Sequence, residues 1–258
     1  HTVNIDTEVV PLTRGTMSTG ADNVLNDVEA ERGLTITGTV EAGSTVMVSF
    51  DGNAARAATV SGGTWSITIP ASEIPDGTTT ANLTVTATDR FNNVGTHSEM
   101  VTIDREVVPL QPGQTQLAGD GYLNAEEAAA GLVVTGVAEP NATVVVQIMV
   151  GNQPIGTPVR IVTDGTGNWT TTFSGNNLPR GELNATVSVR ATDLAGNVDG
   201  YSQSVIIDTT APGAPDVVKF ERVSSGLTRI VTETVDESYE FTRIDANGNT
   251  TAINAVRT

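Results

Sequence analysis

Thr45-Val46-Met47-Val48-Ser49-Phe50, followed by Asp51-Gly52-Asn53, decides the fold class. Val46, Val48 and Phe50 fall on every second position, the period of a strand with one buried face. The Asp-Gly-Asn after them supplies residues that accept unusual backbone dihedrals, so a turn follows the strand. Reading outward, Leu34-Thr35-Ile36-Thr37 precedes this segment. Trp65-Ser66-Ile67-Thr68-Ile69, Leu83-Thr84-Val85-Thr86-Ala87 and a strand ending at Val101-Thr102-Ile103 follow it, separated by Ser61-Gly62-Gly63 and Pro75-Asp76-Gly77. Met47 reads as core filler, as does Met149 further on.

The same series then returns. Ile5-Asp6-Thr7-Glu8-Val9-Val10-Pro11-Leu12 recurs as Ile103-Asp104-Arg105-Glu106-Val107-Val108-Pro109-Leu110, an offset of 98 residues. Asp22-x3-Asn26-x2-Glu29 recurs as Asp120-x3-Asn124-x2-Glu127, and Gly38 as Gly136, at the same offset. From Trp65/Trp169 onward the offset is 104: Ala87-Thr88-Asp89 matches Ala191-Thr192-Asp193, and Asp104 matches Asp208. The six added residues fall between Gly136 and Trp169, where residues 150–156 look like a lengthened turn. Such a repeat is a stack of folded units that varies in its loops.

About seven short strands per roughly 100 residues, with regular turn signals, predict an all-β chain of tandem immunoglobulin-like Greek-key β-sandwiches arranged head to tail. The expected domains are residues 1–104, 105–208 and a short or truncated β module at 209–258. That last module has four expected strands, near 217–223, 227–231, 239–244 and 251–256, and keeps only Asp245-x3-Asn249 of the repeated acidic elements.

The 258 residues carry 30 acidic and 13 basic side chains, a formal charge of −17, which repels phosphate backbones and anionic membranes and speaks against a nucleic-acid partner. No apolar run reaches the ~20 residues a spanning helix needs, so no membrane insertion is expected. Cysteine is absent, so stability rests on the cores and on metal. The chain begins mid-pattern and reads as a fragment of something longer.

In a sandwich with strands A to G, the Asp-x3-Asn-x2-Glu stretch is the A–B loop, at the end where the chain leaves. Asp-x3-Asn is the F–G turn at the opposite end, where the chain enters. Stacking two units then brings Asp22, Asn26, Glu29 and the linker Asp104 up to Asp193 and Asn197. At the next junction Asp120, Asn124, Glu127 and Asp208 meet Asp245 and Asn249, and at the upper end Asp6 faces Asp89 and Asn93. Carboxylates so crowded repel one another unless neutralised, and Ca2+, which takes six to eight oxygen ligands, suits them. Zinc does not, with no Cys and two His. Asp and Asn are also ordinary turn residues. Glu29 is a ligand or a solvated loop residue, and Asn26 and Asn124 are ligands or close their loops by hydrogen bonds.

Trp65 and Trp169 read as core anchors in preference to a sugar-stacking platform. His1 is terminal, and His97 gives way to Asp199 or a neighbour in the second unit. With no nucleophile–base set or phosphate loop visible, no catalytic residue is assigned and no enzyme is expected.

The order Asp-Asn-Val-Leu-Asn, Leu-Thr-Ile-Thr-Gly-Thr-Val, Gly-Thr-Trp-Ser, Val-Thr-Ala-Thr-Asp and Ile-Asp in residues 22–104 resembles the bacterial Ig-like repeats of giant type I-secreted, RTX-type and biofilm-associated adhesins of Gram-negative bacteria. It covers the first two units nearly end to end. The resemblance implies extracellular, cell-surface extender domains, rigidified by calcium at their junctions, that project a distal adhesive domain in cell adhesion and biofilm formation. The implied partners are calcium ions, neighbouring repeats of the same chain and a host or surface ligand. The alternatives are a carbohydrate- or protein-binding module, or an accessory region of a secreted polysaccharide-active enzyme.

Overall fold

The alternation at Thr45–Phe50 buries Val46, Val48 and Phe50 in the computed structural model of the chain, which describes residues 5–211, 217–223, 227–232, 241–244 and 250–253, the last four as backbone only. These residues form two compact units, His1–Asp208 and Thr209–Thr258.

The first unit opens with β1 (Leu12–Met17), β2 (Val24–Leu25), the short helix α1 (Asp27–Arg32), β3 (Leu34–Val40), β4 (Thr45–Phe50), β5 (Arg56–Ala57), β6 (Thr59–Ser61), β7 (Thr64–Ile69), β8 (Thr78–Thr88) and β9 (Val94–Asp104). One sheet runs β1-β3-β7-β6 and the facing sheet β2-β9-β8-β4-β5. All the pairings are antiparallel except β2 with β9. This is the sandwich expected from the sequence. Between the sheets lie Phe50, Trp65, Leu34, Ile36, Ile69, Leu83, Val85 and Ile103, side chains drawn from the alternating inward positions of both.

The second half repeats the plan with β10 (Gln111–Pro112), β11 (Tyr122–Leu123), α2 (Ala125–Ala130), β12 (Leu132–Val137), β13 (Thr143–Val150), β14 (Gln153–Val162), β15 (Asn168–Phe173), β16 (Glu182–Thr192) and β17 (Val198–Asp208). Its sheets are β10-β12-β15 and β11-β17-β16-β13-β14, around a separate core that includes Trp169, Ile148, Val187 and Ile207. The six added residues lengthen a hairpin. Strand β5 of the first sandwich pairs for two residues before the chain crosses to the other sheet as β6, whereas β14 of the second stays beside β13 for most of its length.

Three local readings are settled here. Met47 lies on the outward parity of β4 and is 38% exposed, and Met149 is half-buried, so neither is core filler; their inward neighbours Val46, Val48 and Ile148 are. Tyr201, and not Asp199, occupies the place of His97: the two stand opposite Val189 and Val85 in matching ladders. Trp65 and Trp169 are buried, each over a glycine. A Cβ on Gly38 would overlap the Trp65 indole and the Thr13 carbonyl, to which the indole N–H donates at 3.1 Å. Gly136 and Trp169 repeat the overlap. Gly38→Ala is therefore expected to destabilise the chain by about 1–3 kcal/mol, the usual cost of overpacking, seen as a lowered midpoint in urea unfolding.

In the second unit β18 (Val217–Val223) pairs antiparallel with β19 (Leu227–Thr232), and β20 (Phe241–Ile244) with β21 (Thr250–Ile253). These match the four expected strands over their described residues.

Candidate functional site: the junction between two sandwiches

The acidic motifs are held by three local devices. The first is the F–G turn. Asp89 directly follows β8, and its carboxylate accepts the backbone N–H groups of Phe91 (2.7 Å) and Asn93 (2.8 Å) and the Asn93 side-chain amide (2.7 Å). Asp193 repeats this at the end of β16 with the N–H (2.8 Å) and amide (2.7 Å) of Asn197. The spacing of four is what lets the aspartate close the turn on its own asparagine. Burial pushes the Asp89 carboxyl up, but the Asn93 amide, the two N–H groups and the Arg90 charge outweigh it and hold it below the usual range.

The second device is the A–B loop. Asn26 caps α1, accepting the Glu29 N–H at 3.0 Å while Glu29 accepts the Asn26 N–H at 3.2 Å. Asn124 and Glu127 form the same reciprocal box on α2. Asp22 and Asp120 each accept the N–H two residues on, from Val24 and Tyr122. All six side chains are engaged in shaping their loops.

The third is the linker. Asp104 ends β9, and its carboxylate accepts the Thr78 hydroxyl at 2.9 Å. Arg105, the next residue, donates to Asp27 (2.7 and 2.9 Å) and Asp76 (2.5 Å), tying the linker to the base of the first sandwich.

These devices meet at the junction. Carboxylate oxygens of Asp104, Glu139 and Asp193 all lie within 4.8 Å of one another. The sequence reading brought Asp104 and Asp193 together and missed Glu139, which follows β12. At the upper end of the first sandwich Asp6, Glu41 and Asp89 form the same triad, and Glu41 stands 98 residues before Glu139. The signal was present: both glutamates lie three residues after the repeated glycines Gly38 and Gly136. Asp193 is 7% exposed and Asp89 5%, so neither disperses its charge into water. Among the described residues no ion pair reaches Asp104, Glu139 or Asp193. Glu139 is held above the ordinary carboxyl range, first by burial and then by the charges of Asp104, Asp193 and Glu106, against the N–H of Val108 donated to it at 2.6 Å.

Asn197, 6% exposed, is the hub of the contact. Its amide donates to the Asp104 carbonyl (2.8 Å) as well as to Asp193, and its side-chain oxygen accepts the Asp27 N–H (2.9 Å). Asn26 donates to the Ala195 carbonyl at 2.9 Å. Asn26 thus reaches the junction through the partner loop's backbone, while Asp22 and Glu29 stay outside the carboxylate triad. At the lower end of the second sandwich Asp120, Asn124 and Glu127 sit in the matching loop and Asp208 ends β17. Asp245 and Asn249 lie outside the described residues.

Glu139 makes a pH prediction. A carboxyl raised on folding keeps its stabilising proton below its unfolded pKa and loses it as pH rises through the folded value. Metal-free stability should therefore fall as pH climbs through the range just above the ordinary glutamate pKa. Glu139→Gln should flatten that dependence and raise the metal-free melting temperature at pH 7, measured by calorimetry across pH.

Residues 126–209 match the family model of the bacterial Ig-like domain. The matched residues span most of the second sandwich. The first shares its strand order, capping box, F–G turn and tryptophan-over-glycine packing. No curated protein matches the chain. Among solved structures, the chain is similar to one from a 1.5-MDa bacterial ice-binding adhesin (20% identity, 94% of this chain and 86% of that one, TM-score 0.46). It is also similar to a Ca2+-stabilized adhesin of an Antarctic bacterium that binds ice (20% identity, 93% and 72%, TM-score 0.44). A third is a tetra-tandem repeat from the extending region of a large adhesion protein (18% identity, 95% and 74%, TM-score 0.34). No helix among the described residues is long and apolar enough to cross a membrane.

Proposed function

We propose that this chain is a stretch of the extending stalk of a bacterial cell-surface adhesin, a row of Ig-like sandwiches (residues 1–104, 105–208 and the module at 209–258) whose junctions calcium stiffens. One observation carries the reading: a three-carboxylate cluster recurs at the same end of both sandwiches, and one copy lies where two sandwiches meet. The donor set fits the ion. It consists of carboxylates, with backbone carbonyls and asparagine close by and no sulfur or imidazole, which is the oxygen chemistry calcium selects. Asp104, Glu139 and Asp193 would hold one ion and Asp6, Glu41 and Asp89 another, with Asn93 and Asn197 orienting the buried aspartates. The A–B loop residues Asp22, Asn26 and Glu29 shape the opposing wall, and Asp120, Asn124 and Glu127 shape the matching loop of the second sandwich.

The role is mechanical. Bound calcium offsets the repulsion among the carboxylates and locks the angle between neighbours, so that a flexible chain becomes a rod that presents an adhesive domain away from a Gram-negative surface, as in biofilm formation. Dissociation constants of extracellular calcium modules, on the order of 0.1–1 mM, suit such a place. The buried positions of both tryptophans favour this reading over a sugar-stacking one. Native mass spectrometry tests it: the chain should take up at least one calcium per triad, and Asp89→Asn and Asp193→Asn should each remove one. Equal ion counts in the wild type and both variants would overturn it.

A further inference from the structure

The F–G loop of the second sandwich is covered, and by a specific partner. The Ala195 carbonyl takes the Asn26 amide and the Asn197 oxygen takes the Asp27 N–H, so the first residues of a capping-box loop sit against the turn through two hydrogen bonds that involve no ion. The F–G loop of the first sandwich has the same internal hydrogen bonds and, among the described residues, no such cover. Its Asn93 amide is committed to Asp89 (2.7 Å) and the Asp6 carbonyl (3.2 Å), as Asn197 is to Asp193 and the Asp104 carbonyl. That leaves the Asn93 side-chain oxygen and the Phe91 carbonyl as the counterparts of the two docked acceptors. Phe91 is 55% exposed, where the equivalent Ala195 is 7% exposed.

We propose that this end of the first sandwich is a docking surface for the A–B loop of another sandwich of the same kind, latched by an asparagine cap amide on the Phe91 carbonyl and by the following backbone N–H on Asn93. The occupant is set by the interface continuing the one already formed in this chain. The acceptors match the two donors that any Asn-x-x-Glu capping box offers, and the Phe91 ring supplies apolar surface to cover. The bulk of the first loop does not forbid it. A Cβ at Gly196 would lie 3.6 Å from the Asn26 amide, an ordinary contact, so the Cβ of Asn92 at the matching position is compatible with the cap. The proposal rests on the reading of the chain as a row of sandwiches but not on calcium, because the latch is made of amides and carbonyls.

The test is a chain in which residues 1–104 are followed by residues 7–258, so that an inserted first sandwich precedes the original. Amide exchange by NMR then reads two sites: Asp27 of the original copy, bonded here to Asn197, and Asp27 of the inserted copy, which would meet Asn93. Both should be protected. Asn93→Ala in the original copy should speed exchange at the inserted Asp27 by about tenfold and leave the original Asp27 unchanged. Since Asn93→Ala also touches the turn, a second variant places Asn26→Ser in the inserted copy, which keeps a cap and loses the amide, and the same loss of protection is expected. An inserted Asp27 that exchanges freely while the original is protected would overturn the docking surface alone. Free exchange at both would overturn the junction as a whole.

Discussion

Calcium at about 10 mM is expected to raise the melting temperature of the metal-free chain by about 5–10 °C, and Asp193→Asn to remove most of that rise. For a dissociation constant near 0.1 mM, such a concentration stands at about 100 times Kd and adds about 2.7 kcal/mol to the state that binds. In a unit of roughly 200 residues each kcal/mol moves the midpoint by about 2–4 °C. Asp193 is the residue to change because it is buried, closes the F–G turn and faces Asp104 and Glu139. Its amide counterpart keeps an acceptor for the Asn197 N–H and gives up the charge. Scanning calorimetry with calcium and with chelator separates the two effects: the metal-free midpoint should shift little beside the lost calcium response. An undiminished response in Asp193→Asn would remove that carboxylate from the site.

Asn197→Ala should cost about 2–4 kcal/mol, because truncation leaves buried groups without partners. The Asp193 carboxylate loses an amide donor, the Asp104 carbonyl loses its cross-junction bond and the Asp27 N–H loses its acceptor. Two of those bonds cross between sandwiches, so the loss should appear twice. The second sandwich should melt earlier in urea, and the radius of gyration in small-angle scattering should spread toward bent forms even with calcium present. A variant as stable and as straight as the wild type would show that the contact is incidental.

How far the sequence could be read depended on what each residue was doing. The alternation at Thr45–Phe50 and the return of Asp6 at Asp104 were sufficient for the sandwiches, since burial on one face imposes period two and a repeated motif order imposes repeated units. The F–G asparagines were legible for the same reason: Asp89 and Asp193 close the turn on the residue four ahead. Glu41 and Glu139 escaped because they stand alone after a strand and meet their partners only when the sheets close. Asn26 and Glu29 were open between ligand and loop-former, and the capping box engages both locally, which a spacing of three equally predicts. Met47 was misplaced because its side is fixed by the parity of Val46 and Val48 and not by its apolar character.

The central claim, that calcium fixes the angle between sandwiches, is open to one direct distance measurement. The chain has no cysteine, so spin labels on Ser98→Cys and Ser202→Cys, exposed and at matching places on β9 and β17, report on the two sandwiches alone. Pulsed electron resonance should give a single narrow distance distribution in calcium and a broad one in chelator, with Asp193→Asn broad in both. A distribution of the same width with and without calcium would contradict the account.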